Sequence, residues 1–393
     1  MKKTIVIGVT GGIAAFKACQ LVSDLVKLNF DVHVIMSKHA LEFVGPLTFE
    51  TLSNHKVHID MFDRNFQHDV THISLAKKAD VFCIVPATAN TIGKLACGIA
   101  DDMLTTTFMA TTAVKIICPA MNTNMYTNSI VQENIERLKQ HGVCIVEPES
   151  GLLACKDVGV GKLASIEEIK EMILDSLTEK TLKGYRVLIT AGATLESIDP
   201  IRYITNHSSG KMGYSLARMA KRMGADVTLV AGNVALPRIS GITTIFVKSA
   251  LEMFEAVKKH YKNQNMIIKA AAVSDYTVKT YQSHKIKKSD DELTLALKRT
   301  DDILSFLGKH KDKKTILCGF AMESEHVIDY AQKKLVSKHC DLIVANNVTE
   351  ANAGFQHDTN IATIVTKDQV ESLGLMSKLD LANYILLKMK EMG

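Results

Sequence analysis

The sequence has little of what marks a non-globular or membrane-bound chain. Its 393 residues include only 6 prolines and an ordinary 22 glycines, which excludes collagen-like and low-complexity structures. No apolar run approaches the ~20 residues that a membrane-spanning helix needs. The apolar start of the chain breaks at Gly11-Gly12 and no small-residue cleavage site follows, so we interpret it as a first strand and not as a signal peptide. We expect a cytoplasmic protein with no membrane partner.

The eight cysteines form no C-x-x-C pair and no histidine-spaced metal pattern, so the sequence does not predict a structural zinc site. Several lie within apolar segments such as VFCIV and TILCGF, where a buried free thiol behaves as a small hydrophobe. The cysteine usage therefore favours a reducing compartment.

The net positive charge comes from one half of the chain. The net charge of +5 combines −2 for residues 1–183 with +7 for residues 184–393. The basic clusters lack interleaved aromatic residues and any recognisable nucleic-acid-binding module, so we expect no nucleic acid partner. Two interpretations of these clusters stay open: they bind a phosphate-rich small molecule, or they are solvent-exposed faces of helices.

The 47% hydrophobic and 23% charged content is that of a globular protein with more than one core. Continuous Val/Ile-rich runs alternate with helical patterns throughout, which predicts parallel sheets covered on both faces. A polar stretch ends near residue 183, after which the pattern restarts. We therefore predict two doubly wound, Rossmann-like α/β domains, residues 1–183 and 184–393. The strands are predicted at 4–9, 31–36, 81–86, 114–119, 142–147, 185–194, 226–230, 243–247, 265–272, 315–320, 341–346 and 361–366.

Three features of the first half are compatible with a cofactor site. The G-x-T-G-G turn that contains Gly11 and Gly12 lets backbone N–H groups approach an anion, although a tight turn without a ligand explains it equally well. Ser37 follows the second predicted strand and can contact a phosphate or cap the next helix. Small and hydroxylated residues follow the third strand from Pro86 to Thr105, where a flat cofactor needs close backbone approach.

This half resembles the flavin-binding cysteine decarboxylases through PATANT (86–91), PAMNTNMY (119–126), LACKDVGVGK (153–162) and His72. The resemblance implies a flavodoxin-like FMN domain that oxidises, decarboxylates and re-reduces a cysteinyl substrate. His72 would be the base, Asn122 would bind the substrate carboxylate, and Cys155 would be the proton donor. The FMN-binding residues would be Gly11, Gly12, Ser37, Pro86, Ala87, Thr88, Ala89, Asn90 and Thr91.

The sequence departs from this family's pattern at Tyr126, where Trp is common, and at Lys162, where Arg is common. Tyr126 keeps a large aromatic side chain and Lys162 keeps the positive charge, so we expect these departures to affect substrate positioning and not the reaction. Two other interpretations of this half are a flavin prenyltransferase-like enzyme and a non-catalytic flavin-binding regulatory subunit. His72 together with the PAMNTNMY and LAC segments argues against the first, and the second leaves the motifs of the other half unexplained.

In the second half, residues 191–217 contain a polar, glycine-containing loop that opens a helix, which is an anion site by its geometry. This stretch resembles phosphopantothenate–cysteine ligase, as do AAAVSDY (270–276), KIKK (285–288), GFAMES (319–324) and DLIVANNV (341–348). The resemblance implies activation of a carboxylate by CTP with Mg²⁺, through an acyl-cytidylate that the amine of cysteine attacks. Asn206 would bind the acyl group, Asp275 and Phe320 the cytidine, and Lys285, Lys334 and Lys338 the phosphates. Gly210 would also line the substrate site, and the metal ligands are not predicted.

The two resemblances cover essentially the whole chain. Together they imply the bifunctional family that fuses phosphopantothenoylcysteine decarboxylase with phosphopantothenate–cysteine ligase in coenzyme A biosynthesis. The order of the domains along the chain is the reverse of the order of the reactions. The expected partners are small molecules and further copies of the chain, in trimer-based decarboxylase domains and dimeric ligase domains.

Overall fold

A computed structural model describes residues 2–62, 70–152, 158–287, 293–323, 325–347 and 357–393. The chain divides into two compact units, Met1–Thr178 and Glu179–Gly393. Leu182 is fully buried in the core of the second unit, so the polar stretch before residue 183 already belongs to that unit.

The first unit contains seven strands, one 3-10 helix (Lys38–Glu42) and eight helices among its described residues. The strands are β1 (Thr4–Val9), β2 (Asp31–Met36), β3 (Val81–Ala87), β4 (Val114–Pro119), β5 (Cys144–Ile145), β6 (Glu149–Leu152) and β7 (Val158–Lys162). The helices are α1 (Ala15–Lys27), α2 (Pro46–Ser53), α3 (Thr71–Lys78), α4 (Ala89–Ala96), α5 (Met103–Ala110), α6 (Thr123–Tyr126), α7 (Ser129–Gln140) and α8 (Ile166–Leu177).

Five of these strands form a parallel sheet in the order β2-β1-β3-β4-β5, and β6 and β7 form a separate antiparallel pair. Successive side chains of β1 point to opposite faces, so Ile5 and Ile7 pack with α1 and α8 while Val6 packs with α4 and α5. This is the predicted flavodoxin-like, doubly wound arrangement. The strand order reverses between β1 and β3, and ligands of such sheets bind at the carboxyl ends of the strands at that point.

The second unit contains fourteen strands and five helices among its described residues. The strands are β8 (Arg186–Ala191), β9 (Leu195–Ser197), β10 (Tyr203–Thr205), β11 (Asp226–Ala231), β12 (Thr243–Phe246), β13 (Met266–Lys269), β14 (Tyr276–Val278), β15 (Leu297–Arg299), β16 (Ile316–Glu323), β17 (Leu342–Asn347), β18 (Thr359–Asn360), β19 (Ala362–Thr366), β20 (Val370–Ser372) and β21 (Met376–Ser377). The helices are α9 (Lys211–Arg222), α10 (Ala250–His260), α11 (Ile303–His310), α12 (Val327–Ser337) and α13 (Lys378–Met392).

Its main sheet has eight strands in the order β12-β11-β8-β13-β16-β17-β19-β20. The first six are parallel, as predicted, whereas β19 and β20 complete the edge in antiparallel orientation. Helices cover both faces: Ile189 packs with α9 and α13, and Leu188 packs with α10 and α11. The strand order reverses between β8 and β13, which places the expected ligand crevice at the carboxyl ends of these two strands.

In the part of the chain that the structure describes, no helix is long and apolar enough to cross a membrane.

Candidate functional sites

In the first unit, hydrogen bonds join the carboxyl ends of β1 and β3. The Thr10 hydroxyl donates to the carbonyl of Pro86 (2.7 Å) and accepts from the N–H of Thr88 (3.1 Å). A Cβ atom at Gly11 would lie 2.4 Å from the Cβ of His39, so only glycine fits at this turn. The two strand ends therefore form a rigid rim with exposed backbone groups.

A cleft of about 680 Å³ opens at this rim. Ser37 is part of its wall, and the Ser37 Oγ atom is buried without a hydrogen-bond partner among the described residues. Thr88 caps the N-terminus of α4, which adds a partial positive charge on the same side. A buried hydroxyl without a partner, a helix N-terminus and a glycine turn suit a ligand with a phosphate and several hydroxyl groups. The predicted cofactor residues that line this cleft are Gly11, Ser37, Thr88, Ala89, Asn90 and Thr91.

The remaining predicted cofactor residues lie differently. Gly12 lines a neighbouring cleft of about 460 Å³, which shares Gly11, Thr88 and Ala89 with the first. Pro86 contributes its carbonyl to the bond with Thr10. Ala87 is fully buried and contributes to the core behind the site.

Asn122 lines the smaller cleft at the start of α6. Its Oδ1 atom accepts a hydrogen bond from the N–H of Asn124 (2.8 Å), which caps this helix. The β6–β7 hairpin packs directly on this loop, since the N–H of Met121 donates to the carbonyl of Gly161 (3.0 Å). Gly161 has a φ of +132°, and a Cβ there would lie 2.3 Å from the Met121 carbonyl oxygen. The loop and the hairpin are thus held in fixed contact.

Tyr126 is the last residue of α6. Its hydroxyl donates to a carboxylate oxygen of Glu147 (2.6 Å), and burial together with this bond raises the pKa of Tyr126 to about 12. The Tyr at this position is therefore part of the support of the Asn122 loop.

Two of the predicted catalytic residues of this unit, His72 and Cys155, are not among the described residues that line the two clefts. His72 lies on α3, partly buried, and it lines neither cleft. Cys155 lies outside the described residues.

Asp31, His33 and His55 offer ligand atoms within 4.8 Å of one another at the opposite, amino end of β2. The ammonium of Lys78 already contacts Asp31 Oδ2 (2.7 Å) and His33 Nε2 (3.1 Å), and His55 Nε2 lies 2.7 Å from Asp31 Oδ1. Burial and the charge of His55 lower the pKa of His33 to about 4. We interpret this cluster as an ion-paired network in which the lysine supplies the cation.

In the second unit, glycines allow the N-terminus of α9 to approach the end of β8. A Cβ at Gly213 would lie 2.5 Å from the Cβ of Ala191. Gly192 and Gly210 both have positive φ values, 91° and 76°, and a Cβ on Gly210 would lie 3.1 Å from the Gly192 Cα. The backbone N–H groups at the start of α9 therefore face the crevice at the switch point.

Two adjoining clefts occupy this crevice, one of about 500 Å³ and one of about 430 Å³. The larger, which we call the acyl cleft, is lined by the predicted residues Asn206, Gly210, Asp275, Phe320 and Lys334. The smaller, which we call the nucleotide cleft, is lined by Asp275, Lys334 and Lys338 together with Asp302. The structure thus brings together every predicted ligase residue except Lys285.

The predicted lysines are fixed by specific contacts. Lys334 Nζ donates to the carbonyl of Phe320 (2.9 Å), and Lys338 Nζ pairs with Asp302 (2.7 Å). Burial alone would raise the pKa of Asp302, but Lys338 and the N–H of Ser305 hold it below its usual value. Lys334 lies in α12 and Lys338 directly follows this helix, and both lysines line the nucleotide cleft.

Lys285 lies in an exposed stretch without helix or strand and lines neither cleft. Its neighbour Ile286 is anchored, because the Ile286 N–H donates to Asp199 Oδ2 (3.1 Å) and the Ile286 carbonyl accepts from Arg202 (3.1 Å). Asp199 also accepts from two backbone N–H groups and from the Arg202 guanidinium (2.6 Å), which lowers its pKa to about 2 in spite of burial.

Sequence reasoning missed two residues of the acyl cleft. Lys269, the last residue of β13, lines both clefts, and burial together with the charge of Lys334 lowers its pKa to about 8. Asn346 has a buried Oδ1 atom without a hydrogen-bond partner among the described residues. Both were visible as polar side chains that end apolar strands, MIIK and LIVAN.

The structure is that of a two-domain α/β protein with clefts at the carboxyl ends of the parallel strands in both domains. Comparison with known proteins agrees. Residues 1–178 match the Flavoprotein family, and residues 182–392 match the family described as DNA/pantothenate metabolism flavoprotein C-terminal domain.

The chain is 49% identical over 389 residues to the coenzyme A biosynthesis bifunctional protein CoaBC of Bacillus subtilis (strain 168). The alignment covers 98% of this chain and 96% of the relative. The protein of the same name from Vibrio cholerae is 42% identical over 386 residues, with 98% and 97% coverage. A crystal structure of the C-terminal domain of a CoaBC protein is 44% identical, covers 55% of this chain and 98% of that domain, and has a TM-score of 0.47. The chain belongs to the CoaBC family of coenzyme A biosynthesis. It is a bifunctional enzyme, a decarboxylase and a ligase, with a flavoprotein domain.

Proposed function

We propose that the second unit joins 4′-phosphopantothenate to cysteine with CTP, and that the first unit decarboxylates the product with FMN to give 4′-phosphopantetheine. The observation that carries this proposal is the position of the residues. In both units, most of the side chains that the sequence singled out line clefts at the switch point of a parallel sheet; His72, Cys155 and Lys285 are the exceptions among the predicted catalytic residues.

FMN suits the larger cleft of the first unit. Ser37 and the N-terminus of α4, capped by Thr88, would hold its phosphate and hydroxyl groups, and Gly11 lets the backbone approach closely. When bound, FMN supplies a reversible two-electron oxidation of the cysteinyl group, so that no net electrons are consumed.

The chain's own side chains would handle the carboxylate and the protons. Asn122 uses its carbonyl oxygen to cap α6, so its amide nitrogen is the part that can donate to a carboxylate in the cleft. His72 would take the thiol proton, because an imidazole nitrogen is the commonest general base of enzymes. Cys155, which lies outside the described residues, would return a proton to carbon after CO₂ has left.

A homo-oligomer belongs to this proposal, with trimer-based decarboxylase domains and dimeric ligase domains. His72 lines neither cleft of its own chain. The cleft that contains Asn122 is bordered by large apolar side chains that are between 48% and 68% exposed, namely Ile13, Phe16, Met125 and Leu152. Such a border favours contact with another copy of the chain.

In the ligase unit, an oxygen of the phosphopantothenate carboxylate would attack the α-phosphorus of CTP, and pyrophosphate would leave. The cysteine amine would then displace CMP. Asn206 and Gly210 would bind the acyl substrate, Asp275 and Phe320 the cytidine, and Lys334 and Lys338 the phosphates. Mg²⁺ is held in such sites mainly by the phosphates of the substrate, and no side chain of this chain is assigned to it.

Lys285 has a separate place in the proposal. It lies outside both clefts, on the segment that Asp199 and Arg202 hold through Ile286. We assign it to the phosphates of bound CTP, which it would reach if this segment closed over the nucleotide.

A reducing, cytoplasmic location completes the proposal. It is supported by the seven cysteines of the described residues, which are all free thiols.

The test of the ligase assignment is an omission series with the full chain. Pyrophosphate release from CTP should require both 4′-phosphopantothenate and Mg²⁺ and should stop when EDTA is added. Replacing CTP by ATP should reduce the rate strongly. Pyrophosphate release that is independent of phosphopantothenate would contradict the assignment.

A further inference from the structure

Lys269 occupies the point at which the two clefts of the second unit meet. It is the last residue of β13, where its neighbours across the sheet are Thr190 on β8 and Gly319 on β16. Gly319 has no side chain and Thr190 is fully buried, so neither fills the space beyond the strand end. Lys269 is one of the residues that line both the acyl cleft and the nucleotide cleft.

The charged groups around Lys269 come from each element that surrounds it. Lys334 faces it from α12, Asp302 from the start of α11 and Asp275 from the segment after β13. Lys334 is committed to the Phe320 carbonyl, and Asp302 is committed to Lys338. Among the described residues, by contrast, the Lys269 ammonium has neither a hydrogen-bond acceptor nor an ion-pair partner.

Such an arrangement is unfavourable in the free protein. Lys269 is only partly exposed, so its ammonium is less well hydrated than on an open surface, and the like charge of Lys334 further disfavours the charged form. The lowered pKa of Lys269, about 8, reflects both effects. A bound anion at the junction of the clefts would supply the missing partner.

We propose that Lys269 is a further substrate-binding residue of the ligase, which contacts the carboxylate of phosphopantothenate and the α-phosphate of the nucleotide where these two groups react. This inference rests on the proposed function of the second unit. In that reaction a carboxylate oxygen forms a bond to the α-phosphorus, the bond to the β-phosphate oxygen breaks, and pyrophosphate leaves with the electron pair. Both reacting groups are anionic and repel each other, and a cation between them lowers this repulsion. Lys269 acts through its charge and transfers no proton.

The test uses the full chain with Lys269→Met, which keeps the length of the side chain and removes the charge. We expect kcat for pyrophosphate release to fall by about 10²-fold, as for other single groups that stabilise charge in a transition state. Lys259→Met is the matched control, because Lys259 is exposed on α10 in the same unit and lines neither cleft. Its rate should stay within about twofold of wild type.

The pH dependence separates a charge effect from a structural effect. The kcat/KM profile reports groups of the free enzyme, so wild type should lose activity as the pH rises through about 8, where the Lys269 ammonium loses its proton. Lys269→Arg keeps the charge at higher pH, so this alkaline limb should move upward and part of the activity should return. Lys269→Met should lack the limb.

Three results would overturn the proposal: a Lys269→Met rate within about threefold of wild type, an alkaline limb that stays in place in Lys269→Arg, or a wild-type rate that rises through this pH range. The last would indicate that the neutral amine acts as a base. If wild type itself releases no pyrophosphate, the proposed ligase function fails together with this inference. If wild type is active and Lys269→Met equals it, only the inference fails.

Discussion

Replacing Asn122 by Asp should lower the decarboxylation rate by about 10²- to 10³-fold, the usual cost of losing one well-placed donor at a developing charge. The Oδ1 atom of Asn122 caps α6 through the N–H of Asn124, and an aspartate oxygen can make the same bond. The cap of α6 should therefore be kept. The amide N–H₂ group disappears, however, and a negative charge takes its place beside the substrate carboxylate. The variant therefore separates substrate recognition from helix capping.

Decarboxylation is measured by feeding phosphopantothenoylcysteine to the full chain and following CO₂. Asn128→Asp is the control, because Asn128 caps the next helix, α7, in the same way, through the N–H of Ile130 (3.0 Å), and lies outside both clefts. Near-normal CO₂ release from Asn122→Asp, or an equal loss in Asn128→Asp, would remove Asn122 from the proposed carboxylate site.

The second large effect is expected for Lys334→Met, which should reduce ligation by about 10²-fold or more and leave decarboxylation unchanged. Lys334 lines both clefts of the second unit, and its bond to the Phe320 carbonyl fixes the direction of the ammonium group. Its removal takes away a cation from the proposed phosphate site. The same change leaves the first unit's residues untouched, which gives an internal measure of active enzyme.

Lys333→Met provides the comparison on the same helix. Lys333 is exposed and its ammonium lies 5.7 Å from the ring of Tyr330, so its loss removes one positive charge without altering the clefts. Ligation should be followed as pyrophosphate release over a range of CTP concentrations. Equal rates for the two variants would show that general positive charge, and not the position of Lys334, matters.

The architecture of both sheets was predictable because buried parallel strands leave a simple signal, an unbroken Val/Ile run. Runs such as TIVIGV and DVTLV coincide with β1 and β11. The antiparallel edge formed by β19 and β20 was not predictable in this way, because an apolar run carries no information on strand direction.

Some residues of the two candidate sites were predictable from the sequence and others were not. Ser37 and Thr88 were predictable because they follow strands, and strand ends meet at one edge of a parallel sheet. Asn206 was predictable from the polar, glycine-containing loop that precedes α9. Lys269 was missed because the strand was predicted to continue through it to residue 272, whereas the observed strand ends at Lys269, and because its significance depends on Lys334, 65 positions along the chain. The separation of His72 from Asn122 was equally hidden, since sequence motifs do not state which residues share a cleft.

The central claim, that one chain performs both reactions, is tested most directly by a single incubation. The full chain is given 4′-phosphopantothenate, cysteine, CTP and Mg²⁺, and the products are separated by mass. The account predicts 4′-phosphopantetheine, CMP, pyrophosphate and CO₂ in equal amounts. Accumulation of phosphopantothenoylcysteine without CO₂, or formation of phosphopantetheine without CMP, would contradict it.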